Sequence, residues 1–170
     1  MFYLVRPFRI IFKALIGEAN ARQLAWGFAM GVWIGLVPKG NITALVLGIL
    51  LAASRANLGV AAATILAFSF ISPYFDSASH EVGAYLLSHP SLLKMWTQLY
   101  NTPVMPWTGF NNTVVLGSFL IGVAFLYPCY KLSKPVFSKY TEVVGAWARK
   151  FWLTRLLMGV EWADRLNISS

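Results

Sequence analysis

Two uncharged apolar runs, residues 24–37 and 42–53, flank the polar break Pro38-Lys39-Gly40-Asn41. At about 1.5 Å rise per residue, neither run exceeds roughly 21 Å as a helix. A hydrocarbon core of about 30 Å asks for roughly 20 residues, so each run is short for a comfortable crossing. Pro38 and Gly40 interrupt the helix, and Lys39 puts a charge at the interruption. The expectation is a short-helix hairpin over residues 24–53, either re-entrant or made of two short crossings.

Small residues recur along both runs. Gly27, Gly31 and Gly35 share one helix face, and Ala44, Gly48 and Ala52 share a face of the next helix. Helices in lipid associate through van der Waals contact where small side chains let backbones approach. These six residues are therefore expected to form a packing seam between the hairpin arms. Gly59, Ala63 and Ala67 offer a third small face further on.

The rest of the chain agrees with a membrane setting. Of its 170 residues, 58% are hydrophobic and only 12% charged, against about 25% charged in an average soluble domain. The expected fold class is an all-α integral membrane protein, with two full transmembrane helices besides the hairpin. The net charge of +8 does not imply nucleic acid, because the basic residues flank apolar segments and form no single groove-sized patch. One cysteine, Cys129, excludes an internal disulfide. The N-terminus does not read as a cleaved signal peptide, since Arg6, Pro7, Arg9 and Lys13 interrupt any early apolar run.

In order, residues 1–21 form a basic amphipathic segment suited to the membrane surface. Residues 22–132 are the membrane domain: the hairpin, a span over 58–75, a polar outer segment over 76–112 and a span over 113–130. Residues 133–170 alternate apolar and basic positions at helical spacing, a cytoplasmic amphipathic tail. Four basic residues precede the hairpin, Arg55 follows it, and seven lie beyond Tyr130, whereas Lys94 alone separates the two spans. That asymmetry puts both termini in the cytoplasm and the outer segment on the far side.

No catalytic set emerges, and an enzyme is not expected: the chain has no Gly-x-Ser-x-Gly, His-Glu-x-x-His or phosphate-binding Gly-rich loop. Asp76, His80 and Glu81 come nearest to a metal set, but the His80 to His89 spacing fits no standard ligand pattern, so no metal or cofactor is expected. With Ser72 and Pro73 these residues form a polar surface suited to a partner. Lys39 is the residue most in need of an explanation, because an ammonium in hydrocarbon costs about 2.5–3.5 kcal/mol. Either it reaches the interface from the hairpin tip, or Pro38, Lys39, Gly40 and Asn41 hold a phosphate or carboxylate headgroup as broken helices do in transporters.

The stretch from Ala25 to Asn57, AWGFAMGVWIGLVPKGNITALVLGILLAASRAN, followed by Ser72-Pro73-Tyr74 and Val82-Gly83, resembles the bacterial domain-of-unknown-function family 2062. That family shows a Gly-rich apolar run, a Pro-x-Gly break, a second apolar run ending in Asn, and an Asn-Pro or Ser-Pro pair. Ser72 stands here where Asn is commoner. The resemblance implies a bacterial inner-membrane protein working with a larger periplasmic envelope protein in lipid or envelope traffic, and implies no known reaction. The expected function is that of a membrane component anchoring such a partner and presenting phospholipid to it. The alternative is a self-contained homo-oligomeric small transporter or channel.

Overall fold

The computed structural model describes residues 20–150, with side chains through residue 141. The expected surface segment at residues 1–19 and the end of the tail, residues 151–170, lie outside the described residues. Among the described residues every element is helical: α1 (Ala21–Leu36), α2 (Ile42–Ala53), α3 (Leu58–Ile71), a 3-10 turn (Ser72–Phe75), α4 (Asp76–Ser88), α5 (Pro90–Tyr100), a second 3-10 turn (Met105–Thr108) and α6 (Thr113–Lys150).

Asparagine starts four of these helices. The side-chain oxygens of Asn20, Asn41, Asn57 and Asn112 accept from the backbone N–H groups of Arg22, Ala44, Val60 and Val114 at 3.1, 2.8, 3.0 and 2.9 Å. Each satisfies a donor that the first helical turn would otherwise leave unpaired. Where the apolar runs begin is thus written in single residues.

Helix α1 is the centre of the bundle, burying Leu24, Ala25, Ala29, Val32, Ile34 and Leu36. Its glycine face meets α3 and not α2. A Cβ at Gly27 would lie 2.5 Å from the Asn57 carbonyl oxygen, one at Gly31 2.6 Å from Thr64 Cβ, and one at Gly35 2.5 Å from Phe68 Cβ. The partners climb in step with the glycines, so α1 and α3 run parallel and α2 is the return between them. The expected seam between the hairpin arms is therefore corrected. On α2 it is Thr43, Leu47 and Leu51 that turn inward, Ala44 only partly joins the core, Ala52 is exposed, and nothing lies within 4 Å of a Cβ at Gly48. Large aliphatic side chains exclude more apolar surface than glycine can, and the core of Ile34, Val37, Leu47, Leu51, Ala56 and Ala61 uses them. Likewise α3 turns Val60, Ala61 and Thr64 inward and leaves Ala63 and Ala67 exposed.

Helix α6 runs antiparallel to α1 along another side. The Trp33 indole N–H donates to the Phe119 carbonyl at 3.0 Å and the ring covers Gly122, while Trp26 stacks on Tyr130 with centroids 4.5 Å apart. Helix α4 crosses α6 at a reciprocal pair of close approaches, Gly83 against the Thr113 backbone and Gly117 against the Ser79 backbone.

Two helical runs are long and apolar enough to cross a membrane, Leu58–Ser88 and Thr113–Thr141. Both exceed the spans read from sequence. The first passes the Ser72-Pro73 pair as a single 3-10 turn, because Pro73 sits in the turn's first positions where no N–H is needed. The second continues through Pro128 and Pro135 to Lys150, so the boundary expected near residue 130 is not a helix end. Each proline removes one hydrogen bond without ending the helix.

Candidate functional site

At the polar break each residue has a structural task. Helix α1 ends at Leu36, leaving carbonyls without partners. Lys39 folds back over that end, and its ammonium donates to the carbonyls of Ile34, Gly35 and Val37 at 3.0, 2.7 and 2.9 Å. An ammonium has three N–H donors, and here all three are engaged. Gly40 takes φ +95°, a left-handed value that lets the chain reverse between the helices. Asn41 caps α2 with its oxygen and donates its amide N–H to the Pro38 carbonyl at 2.9 Å. These four residues together close the reversal between α1 and α2. In this structure Lys39 caps the end of α1.

The second 3-10 turn rests on this reversal. Thr43 Oγ1 donates to the Thr108 carbonyl at 2.8 Å, and Gly109 lies beside Asn41. Lys39 therefore shares one end of the bundle with the outer segment.

The expected partner residues lie at that end without converging on a centre. Ser72 donates to the Ser69 carbonyl at 3.2 Å, and Pro73 starts the 3-10 turn. Asp76 and Glu81 are exposed on α4, where Asp76 sits in the first turn and favours the helix dipole. His80 Nδ1 shares a hydrogen bond with Thr113 Oγ1 at 2.6 Å, tying α4 to the start of α6. No group of three His, Cys, Asp or Glu residues comes within metal-holding reach among the described residues.

A concave site lies at the opposite end, where Arg22 marks the entry to the hairpin and residues 54–57 mark its exit. A half-open groove of about 550 Å³ is lined by Asn20, Arg22, Gln23, Trp26, Met30, Ser54, Arg55 and Ala56. It forms because the segment between α2 and α3 hooks onto the first turn of α1, where the Asn57 N–H donates to the Gln23 carbonyl at 2.9 Å. Ser54 stiffens that segment, donating to the Leu51 carbonyl at 2.7 Å and accepting from the Ala56 N–H at 3.1 Å. The arginines are exposed at the rim, while Trp26, Met30 and Ala56 are withdrawn and form an apolar floor. Asp76 and Glu81, the acidic residues within 20–141, stand with α4 at the other end of the bundle. The sequence holds a signal for this groove: a hairpin brings its start and finish to one end, and Arg22 and Arg55 both line the groove there.

Comparison with known proteins adds relatives without assigning chemistry. The chain is 24% identical over 137 residues to an uncharacterised protein of Treponema pallidum (strain Nichols), covering 81% of this chain and 85% of that one. No solved structure matches. The family model described as an uncharacterised protein conserved in bacteria, DUF2062, matches residues 7–143, most of the chain and all six helix starts, and the protein belongs to that family.

Proposed function

We propose that this protein is a multi-pass component of the bacterial inner membrane that anchors a larger periplasmic partner and presents phospholipid to it. The observation that carries this reading is α2. It has 12 residues, about 18 Å of helix, where a bilayer core is about 30 Å. Its outward face is Leu45, Val46, Ile49 and Leu50, with Leu45 64% and Ile49 59% exposed. An apolar helix that short, held on one side only, is accommodated by a bilayer that thins around it. Thinning lowers the barrier to moving a lipid.

Charge supports the orientation. Arg22, Arg55, Lys131, Lys134 and Lys139 belong to the groove end, which the positive-inside rule assigns to the cytoplasm. Both termini are then cytoplasmic. The periplasmic end carries α4 and α5, whose exposed Tyr85 and Leu93, together with Trp107, offer apolar anchors beside Asp76 and Glu81.

The test is the composition of the native complex extracted into lipid nanodiscs. A stoichiometric larger envelope protein is expected. A pure ring-shaped homo-oligomer would overturn the anchor reading and favour a transporter. The lipid part fails separately if protein and partner reconstituted together leave lipid distribution between leaflets unchanged.

A further inference from the structure

We infer that the groove between the start of α1 and the α2–α3 connection seats the headgroup of an anionic phospholipid, its phosphate between Arg22 and Arg55 and the first part of its acyl chains on Trp26 and Met30. The lining divides as that ligand does, with two exposed arginines beside a withdrawn apolar floor of Trp26, Met30 and Ala56. Guanidinium groups match phosphate oxygens through paired N–H donors, which an ammonium cannot offer. Asp76 and Glu81 stand on α4 at the far end of the bundle. About 550 Å³ is the scale of a small-molecule pocket, enough for a headgroup and the upper chain but not a whole lipid. Charge complementarity selects a negative headgroup over a zwitterionic one. Gln23 adds an exposed polar side chain to the lining.

The position is as informative as the chemistry. Lys39, the obvious cation of the hairpin, has its donors committed to carbonyls, whereas Arg22 and Arg55 sit where anionic lipid of the cytoplasmic leaflet would meet them. The inference rests on the membrane reading proposed above. Within that reading, it puts the lipid-loading side at the cytoplasmic leaflet and not at the hairpin tip.

The test uses the full chain in phosphatidylcholine nanodiscs doped with phosphatidylglycerol, with retained lipid counted by native mass spectrometry and no partner present. Wild type is expected to retain phosphatidylglycerol selectively. The doubly substituted R22Q/R55Q protein should retain it about tenfold less. Met30→Trp, which keeps both arginines but fills the floor, should also lose it. Excess inorganic phosphate should leave the retained lipid in place, and displacement by phosphate alone would overturn the lipid assignment in favour of a simple anion site. Equal retention of phosphatidylcholine and phosphatidylglycerol by wild type overturns the inference without any variant, so a substitution that fails to fold does not shelter it. A photocrosslinker at Gln23 that captures residues 1–19 in place of lipid overturns it too. Selective retention without a recoverable partner would remove the anchor reading and leave the groove, whereas a normal partner with unselective retention would do the reverse.

Discussion

Lys39 Nζ lies 2.7 Å from the carbonyl oxygen of Gly35, four residues earlier in the chain, and the lysine closes the very helix it follows. Basic side chains near a helix C-terminus can hydrogen-bond the last carbonyls and complement the dipole, but one ammonium serving three carbonyls makes the cap unusually dependent on one residue. Lys39→Met removes all three bonds and leaves carbonyls unpaired where α1 ends. The expected loss is on the order of 1–3 kcal/mol, seen as a lower unfolding temperature in detergent. Lys39→Glu should be worse, since a carboxylate would face carbonyl oxygens, and the variant is expected at low folded yield. Full yield of Lys39→Glu would show that the cap contributes little.

The glycines divide into two classes that look alike in sequence. Gly117 is pressed against the Ser79 backbone and Gly83 against that of Thr113, whereas Gly48 faces open space. Gly83→Ala and Gly117→Ala each force two helix backbones apart and are expected to cost about 1–3 kcal/mol or more. Gly48→Ala should stabilise by up to about 1 kcal/mol through helix propensity alone. Unfolding midpoints of the three variants, compared in one detergent, check the ordering; a destabilised Gly48→Ala would mean that α2 packs on something through that face.

That pair also shows what a sequence can and cannot disclose. Helical class, the break at Pro38 and the close-packing face of Gly27, Gly31 and Gly35 follow from residue type and a period near four. The neighbour of a face does not, because periodicity marks one helix at a time: the glycines meet Asn57, Thr64 and Phe68, and not the matching stripe on α2. Proline was misleading in the other direction. Pro73 begins a 3-10 turn and Pro128 and Pro135 lie inside α6, so both apolar helical runs outlast the boundaries that composition drew. Lys39 stands out for its charge, and its bonds to Ile34, Gly35 and Val37 follow only from the fold. Arg22 and Arg55 mark the two ends of the hairpin in sequence, and the groove they both line shows only in the fold.

The outer segment holds a smaller test of polar satisfaction. The Tyr100 hydroxyl is buried without a hydrogen-bond partner among the described residues, and burial pushes its pKa up. A buried unpaired hydroxyl is a net loss relative to the same ring without it. Tyr100→Phe should therefore leave α5 in place and raise stability by about 1 kcal/mol. Calorimetry decides it: a clearly lower midpoint would mean that the hydroxyl has found a partner.

The hairpin itself can be tested for crossing. Because Thr43 bonds Thr108 and Asn41 touches Gly109, the tip at Pro38 belongs to the same end as Lys94, while the finish of α2 belongs to the end of Arg22 and Arg55. In a chain with Cys129→Ser, single cysteines at Pro38, Ala53 and Lys94 probe this with a membrane-impermeant maleimide. Pro38 is chosen because it donates no hydrogen bond, and its carbonyl still accepts from Asn41 after substitution. Labelling of Pro38→Cys and Lys94→Cys from the periplasmic face, with Ala53→Cys reached only after the membrane is opened, is the expected pattern. It would make α1 and α2 two short crossings, since α1 runs parallel to α3 and shares its direction through the bundle. Protection of Pro38→Cys from both faces, with Ala53→Cys labelled from the cytoplasmic face, would instead mean that the hairpin turns back within the bilayer, and the thin-membrane account of α2 would fall with it.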